Sequence, residues 1–234
     1  EGMMRFNTDL NTMEFYNGNE WRQFTYISDI QNSPGGRGRA VWAGGYDGGG
    51  VPSTTTRSID FMNTHTLGDS KRFGDLSASG QDAHGSGNAN RGLFQGKFNS
   101  DAIEYIAIAA EGNSIDFGNM NASRNWCASV SSSTRSVTTG GYAPSNTNSM
   151  EYVQIMTLGN GIDFGDMTLQ RLTDGTGFSN GIQGFFCGDF PSRSDTYDVI
   201  TIATTGNAVT GGGAPAGGTR WPGAGCSNSV RGIW

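Results

Sequence analysis

Charge is scarce in this chain. Only 15% of its 234 residues are Asp, Glu, Lys or Arg, with a formal net charge of −6 and a pI near 4.8. No run of five or more Lys/Arg occurs. Phosphate binding demands a basic footprint, so direct nucleic-acid binding is not expected. Histidine is nearly missing too, and His65 and His84 leave little from which to build a His-based site. The three cysteines, Cys127, Cys187 and Cys226, have neither CxxC nor Cys/His spacing. An odd, scattered set suits neither a disulfide framework nor a metal cluster, and free, mostly buried thiols are expected. No apolar stretch approaches the roughly 20 residues of a membrane-spanning helix, so membrane insertion is not expected. Serine runs such as 129–133 contain no Gly-x-Ser-x-Gly elbow and have no His to activate them, which argues against nucleophilic hydrolysis. The expectation is a protein without catalysis, metal or cofactor.

What the chain has is glycine and repetition. It contains 38 Gly and 11% aromatic residues, a mixture that fits many short strands joined by tight turns. Ile-Asp-Phe-Gly-Asp-Met at 162–167 nearly duplicates Ile-Asp-Phe-Gly-Asn-Met at 115–120, and Arg-Phe-Gly-Asp-Leu at 72–76 is a third relative. A Gly-Asp or Gly-Asn pair precedes each, at 68, 112 and 159, and recurs at 206. Further upstream lies an acid-led apolar strand carrying Asp60, Glu104, Glu151 or Asp198. Before that comes a segment running from Arg39, Arg91, Arg135 or Gln183 through glycine to an aromatic. A fifth copy starts at Arg231.

Four short strands per unit, in units of 44–52 residues, match a propeller blade. One such sheet cannot bury both of its faces, so it is tiled beside its copies. Phe73, Phe117 and Phe164 are then expected between blades, each followed by a Gly that permits a bulge or a close approach. The fold expected is all-β: a propeller of four to five short four-stranded blades over 37–234, preceded by a small N-terminal β-hairpin module (1–27) and a linker (28–36). The repeats fall near 37–90, 91–134, 135–181 and 182–229, with a partial copy at 230–234. Four blades, five blades using both chain ends, and an open stack completed by a neighbouring subunit all remain compatible with the spacing. The N-terminal module carries Met4, Phe6, Met13, Phe15 and Trp21, more apolar bulk than so short a piece hides, and should pack on a partner.

Two stretches carry a family resemblance. Gly2-Met-Met-Arg-Phe-Asn-Thr-Asp and Glu14-Phe-Tyr-Asn-Gly, with Trp21, resemble a β-module of tail fibres and other structural proteins of tailed bacteriophages. The repeats, best seen at 162–167 and 198–208, resemble kelch-like repeats in virion proteins of marine and cyanobacterial phages. The resemblance implies a component of the virion surface, a tail or capsid appendage, whose propeller binds host surface glycan or protein. It further implies an N-terminal module that contacts other virion proteins, and a homo-oligomer, for which a trimer is plausible. Architectural capsid, collar or baseplate roles, and a polysaccharide depolymerase, are the alternatives.

Candidate contact residues lie in the loops 47–56, 99–101, 143–149 and 191–195, which join equivalent strands and should emerge together. They are Asp47, Val51, Asn99, Ser145, Asn146, Ser192 and Arg193. The nearby Trp42, Tyr46 and Tyr142 are expected mainly in the blade core. The acid and Arg series are expected to serve structure: carboxylates capping strand ends or pairing with a neighbouring Arg, and guanidiniums bonding backbone carbonyls.

Overall fold

The computed structural model describes residues 3–7, 12–16, 18–19, 21–23, 38–47, 54–64, 68–188, 196–213, 224–228 and 230–233. All regular structure among them is β, without helix. The chain divides into two compact bodies, Glu1–Gln31 and Asn32–Trp234. The expected linker at 28–36 lies outside the described residues.

In the first body, β1 (Met4–Asn7), β2 (Thr12–Tyr16) and β3 (Trp21–Gln23) form an antiparallel meander. Met4 pairs with Phe15 and Phe6 with Met13, so these four share one face. Met4, Phe6 and Met13 are exposed on it. The other face is polar. Glu14 accepts bonds from Arg5 Nε (2.8 Å) and Asn7 Nδ2 (3.0 Å), and Arg5 lies 4.1 Å over the Trp21 ring.

The second body is a row of small antiparallel sheets. Repeat 1 comprises β4 (Arg39–Ala43), β5 (Tyr46–Asp47), β6 (Thr54–Thr55), β7 (Ser58–Asn63) and β8 (Lys71–Asp75), arranged as a sheet β4-β7-β8 and a small β5-β6 ladder. Repeat 2 is β9 (His84–Gly87), β10 (Arg91–Gln95), β11 (Ala102–Ala107) and β12 (Ile115–Asn119). Repeat 3 is β13 (Ala128–Ser131), β14 (Arg135–Thr139), β15 (Ser149–Gln154) and β16 (Ile162–Asp166). Repeat 4 is β17 (Gly177–Ser179), β18 (Gln183–Phe186), β19 (Thr196–Thr201) and β20 (Val209–Gly213). A two-stranded piece, β21 (Cys226–Ser227) with β22 (Gly232–Ile233), corresponds to the first two strands of a fifth.

The near-identical hexamers are explained by one backbone irregularity. Between third and fourth strands the register slips by one residue: Ile103 faces Gly118, but Glu104 faces Asp116, which leaves Phe117 as a bulge. The same slip falls at Phe73, Phe164 and Gly211. Each bulged Phe is buried against the next repeat. Phe73 joins a core with Phe94 and Ile106, Phe117 one with Val153 and Ile155, and Phe164 one with Phe186, Ile200 and Ile202. The glycine after the bulge then meets backbone. Gly118 (φ +143°) and Gly165 (φ +134°) sit where a Cβ would lie 2.4 and 2.5 Å from the carbonyl oxygens of Gly159 and Gly206. There the Gly-Asn turn of the next repeat docks. Gly112, Gly159 and Gly206 donate N–H bonds to the Phe73, Phe117 and Phe164 carbonyls (2.9, 2.9 and 2.7 Å). The following Asn side chains accept from Asp75, Asn119 and Asp166 N–H, each at 3.0 Å.

The first strands approach one another closely, β9 with β13, β13 with β17 and β17 with β21. Ser131, Ser179 and Ser227 hydroxyls donate across this row to the carbonyls of Gly87, Ser131 and Ser179 (2.7, 2.6 and 2.6 Å).

Three members of each series make structural bonds. Glu104 accepts bonds from Ser77, Ser114 and Lys97; Glu151 from Arg124 and the Asn121 N–H; Asp198 from Arg171 and Thr168. All three acids are buried, and they tie their repeat to the segment leaving the previous one. Arg39, Arg91 and Arg135 run the other way, donating to the carbonyls of Ile108, Ile155 and Ile202 in the next repeat (2.7, 3.0 and 3.1 Å).

Candidate binding site

Glycines with positive φ end the second strand of repeats 1 to 3 (Gly44 and Gly45, Gly96, Gly140 and Gly141) and turn the chain out of the sheet. The aromatics just beyond them, Tyr46, Phe98 and Tyr142, are exposed. Tyr46 and Tyr142 were expected in the core, as was Trp42, and all three lie at the surface instead. Trp42 is exposed because no earlier sheet among the described residues covers its face of β4. The loops that follow are fastened to the connections between repeats. Phe98 N–H donates to the Gln81 carbonyl (3.0 Å), Tyr142 N–H to Asn125 (2.9 Å) and Gly141 N–H to Arg171 (3.1 Å). Second-to-third-strand loops and inter-repeat connections therefore share one end of the array.

Asp82, Trp126 and Asp174 occupy equivalent places in three successive connections, and each has a left-handed backbone (φ 62°, 57° and 36°). For a side chain as large as Trp that conformation is strained, and such strain concentrates at functional positions. The Trp126 carbonyl accepts the N–H groups of Thr173 (3.1 Å) and Asp174 (2.9 Å), which draws the third connection onto the second. The Trp126 and Tyr142 rings pair at 6.1 Å and 58°. Asn125, almost fully buried, lies beside Asp82. The Gln81 and Asn125 side chains lean toward the Asp82 carboxylate and favour its charged form, but Asp82 Oδ2 and Asn125 Nδ2 fall short of full bonding geometry, as does buried His84 Nε2.

Electrostatics marks the same place. Burial raises the Asp82 carboxyl above its ordinary range. Asp174 is raised first by burial and then by repulsion from Asp82, so the two carboxylates, from different connections, feel each other's charge. Burial holds His84 down at about 4, neutral near pH 7. It pushes the Cys127 thiol up to about 12, which denies it thiolate chemistry. Among the described residues no group of three or more His, Cys, Asp and Glu could hold a metal ion. The arrangement offers a half-open aromatic pair beside a half-buried carboxylate, an exposed one and a buried amide. That suits a polyhydroxylated ligand, with a ring face to stack and hydroxyls to bond.

Of the residues singled out from the sequence, Ser145 and Asn146 belong to this neighbourhood. They share the 140–148 loop with Tyr142; Ser145 is exposed and Asn146 bridges to Tyr142. Asn99 is exposed in the equivalent loop of repeat 2, with φ 58°. Asp47 lies on β5 opposite Thr54. Val51, Ser192 and Arg193 fall outside the described residues. Asp82, Asn125, Trp126 and Asp174 were not anticipated. No family model matches the chain, and no curated protein matches it.

Proposed function

We propose that the chain is a structural protein of a bacteriophage virion, a tail fibre or surface appendage, in which a kelch-like propeller of four to five blades turns its loop end toward host surface glycan. The observation that carries the reading is the cluster at that end: the Trp126–Tyr142 pair, the left-handed Asp82, Trp126 and Asp174, and the buried Asn125 amide beside Asp82. Exposed Met4, Phe6 and Met13 on one face of the N-terminal meander suit the attachment of the chain to other virion proteins or sister copies. The test is binding of the full chain to an array of host envelope polysaccharides, with Y142A alongside. The expected result is binding that Y142A weakens about tenfold, roughly 1.4 kcal/mol. An array on which the wild-type chain binds nothing removes the reading.

A second reading rests on the two electrostatically coupled carboxylates. Asp82 and Asp174, both raised, are the kind of pair that a glycoside-cleaving site uses. Release of reducing ends from a bound polysaccharide, lost in D82N and in D174N, would favour a depolymerase. Binding without release favours attachment alone.

A further inference from the structure

The inventory of strands is unbalanced in an informative way. Among the described residues the array has four first strands (β9, β13, β17, β21), four third strands and four fourth strands. They are mismatched at the ends: repeat 1 has strands two to four, whereas the last first strand, β21, is paired only with the two-residue β22.

The sequence repeats the imbalance. In every described first-to-second-strand turn, a polar side chain three residues before the Arg or Gln caps the turn. Asn88 accepts the N–H groups of residues 90 and 91, Ser132 those of 134 and 135, Asn180 those of 182 and 183, and Asn228 those of 230 and 231. In repeat 1 that position is Gly36, which has no side chain to cap with.

Among the described residues nothing fills the place for the strand. A cleft of about 350 Å³ runs beside β4, lined by Arg39, Val41, Gly85, Ser86 and Gly87, where a first strand would stack on β9 as β9 stacks on β13. The two ends of the single chain do not cover one another. Trp42 is 44% exposed, whereas its counterparts Phe94 and Phe186 are 8% and 0%. Ile233 is 68% exposed, whereas its counterparts Leu93 and Val137 are both 0%.

We propose that β21 of one copy supplies the first strand of repeat 1 in a second copy, displacing β22 to form a composite sheet β21-β4-β7-β8. The array then continues head to tail between chains, either as a closed oligomer or as a longer row. Three interfaces inside the chain already show the required contacts, so the missing sheet face has a known complement. The inference goes beyond the attachment reading and stands or falls without it.

The register is fixed by precedent. Ser86 faces Leu93, Val130 faces Val137 and Phe178 faces Phe185, and by the same alignment Cys226 faces Val41 of the partner copy. Facing residues in an antiparallel pair lie within disulfide reach. The test oxidises the full-length V41C variant with a copper catalyst and runs it on a non-reducing gel; Cys226 is exposed, while the other native thiols are buried. Sedimentation of the reduced variant and of the wild type runs in parallel. The expected result is dimers or larger species in sedimentation and a chain-to-chain disulfide in V41C that A40C forms at least tenfold less. An intrachain Cys226 disulfide would overturn the proposal in favour of a ring closed within one chain. A monomer at every concentration without any cross-link would overturn it outright.

Discussion

Asp198 and Arg171 form a fully buried ion pair between repeats, with 0% side-chain exposure on both partners and an Nη2–Oδ2 distance of 2.9 Å. Asp198 also accepts the Thr168 N–H (3.0 Å) and hydroxyl (2.5 Å), and Arg171 donates to the Thr196 carbonyl (3.2 Å). Asp198→Asn keeps the shape and removes the charge, leaving a guanidinium buried without its counterion. Breaking a buried pair from one side costs about 3–5 kcal/mol. In a body of this size each kcal/mol moves Tm by about 2–4 °C, so the fall should be on the order of 6–20 °C. The double variant R171M/D198N removes both charges and should recover part of the loss, because no guanidinium is then left buried without its counterion. Asp60, at the equivalent position in repeat 1, is half-buried and has no described repeat before it. D60N should therefore change stability by less than about 0.5 kcal/mol. Urea unfolding followed by tryptophan fluorescence measures all three. A D198N cost below about 1 kcal/mol, or a D60N cost equal to it, refutes the idea that these acids bind repeat to repeat.

G165A should cost at least the roughly 1–3 kcal/mol of an L-residue forced to φ +134°, with a clash against the Gly206 carbonyl in addition. G213A, in open space at the far end, is its neutral control in the same melts. Asp174 holds its proton more tightly folded than unfolded, so folding stability falls as pH rises from its ordinary value of 3.8 through the raised one. D174N should thus raise Tm near pH 7 and leave it unchanged near pH 3; no gain at the higher pH would refute the raised carboxyl. In native protein at about pH 8, a thiol reagent should modify exposed Cys226 quickly. Cys127 and Cys187, pushed by burial up to about 12, should react only after unfolding, and rapid modification of all three would contradict their burial.

The stacked sheets were legible because each recurring residue answers a backbone demand that recurs with it. A bulge turned toward a following repeat carries a buried ring, the adjacent close approach needs glycine, and the docking turn takes Gly-Asn, so the letters repeat with the geometry. The site obeys another rule. Asp82, Trp126 and Asp174 share a place and a left-handed backbone but not a residue type, so nothing in the repeated letters marks them. Aligning the repeats on their first strands, rather than on the Phe-Gly signature, would have put the three in one column. Tyr46 and Tyr142 were misplaced for a related reason. The glycines before them resemble sheet glycines in sequence, but with positive φ they carry the aromatic past the sheet edge.

Where the letters stop repeating, the neighbour has changed. Arg39, Arg91 and Arg135 each reach a carbonyl at the end of the next repeat's third strand, and the fourth position is Gln183. The bulged residue is Phe in three repeats and Gly211 in the last, where β20 lies exposed along its whole length. Among the described residues, the piece after repeat 4 has no third strand and no Gly-Asn turn to meet either side chain. Within one chain, a ring there would meet no described neighbour to bury it, and an arginine no described carbonyl. The fourth repeat thus departs from the others at the positions that find no described partner within the single chain, while it keeps Asp198, Ile200 and Ile202, which face a complete repeat behind it. Side-chain identity in this chain is set across the interface and not within the sheet.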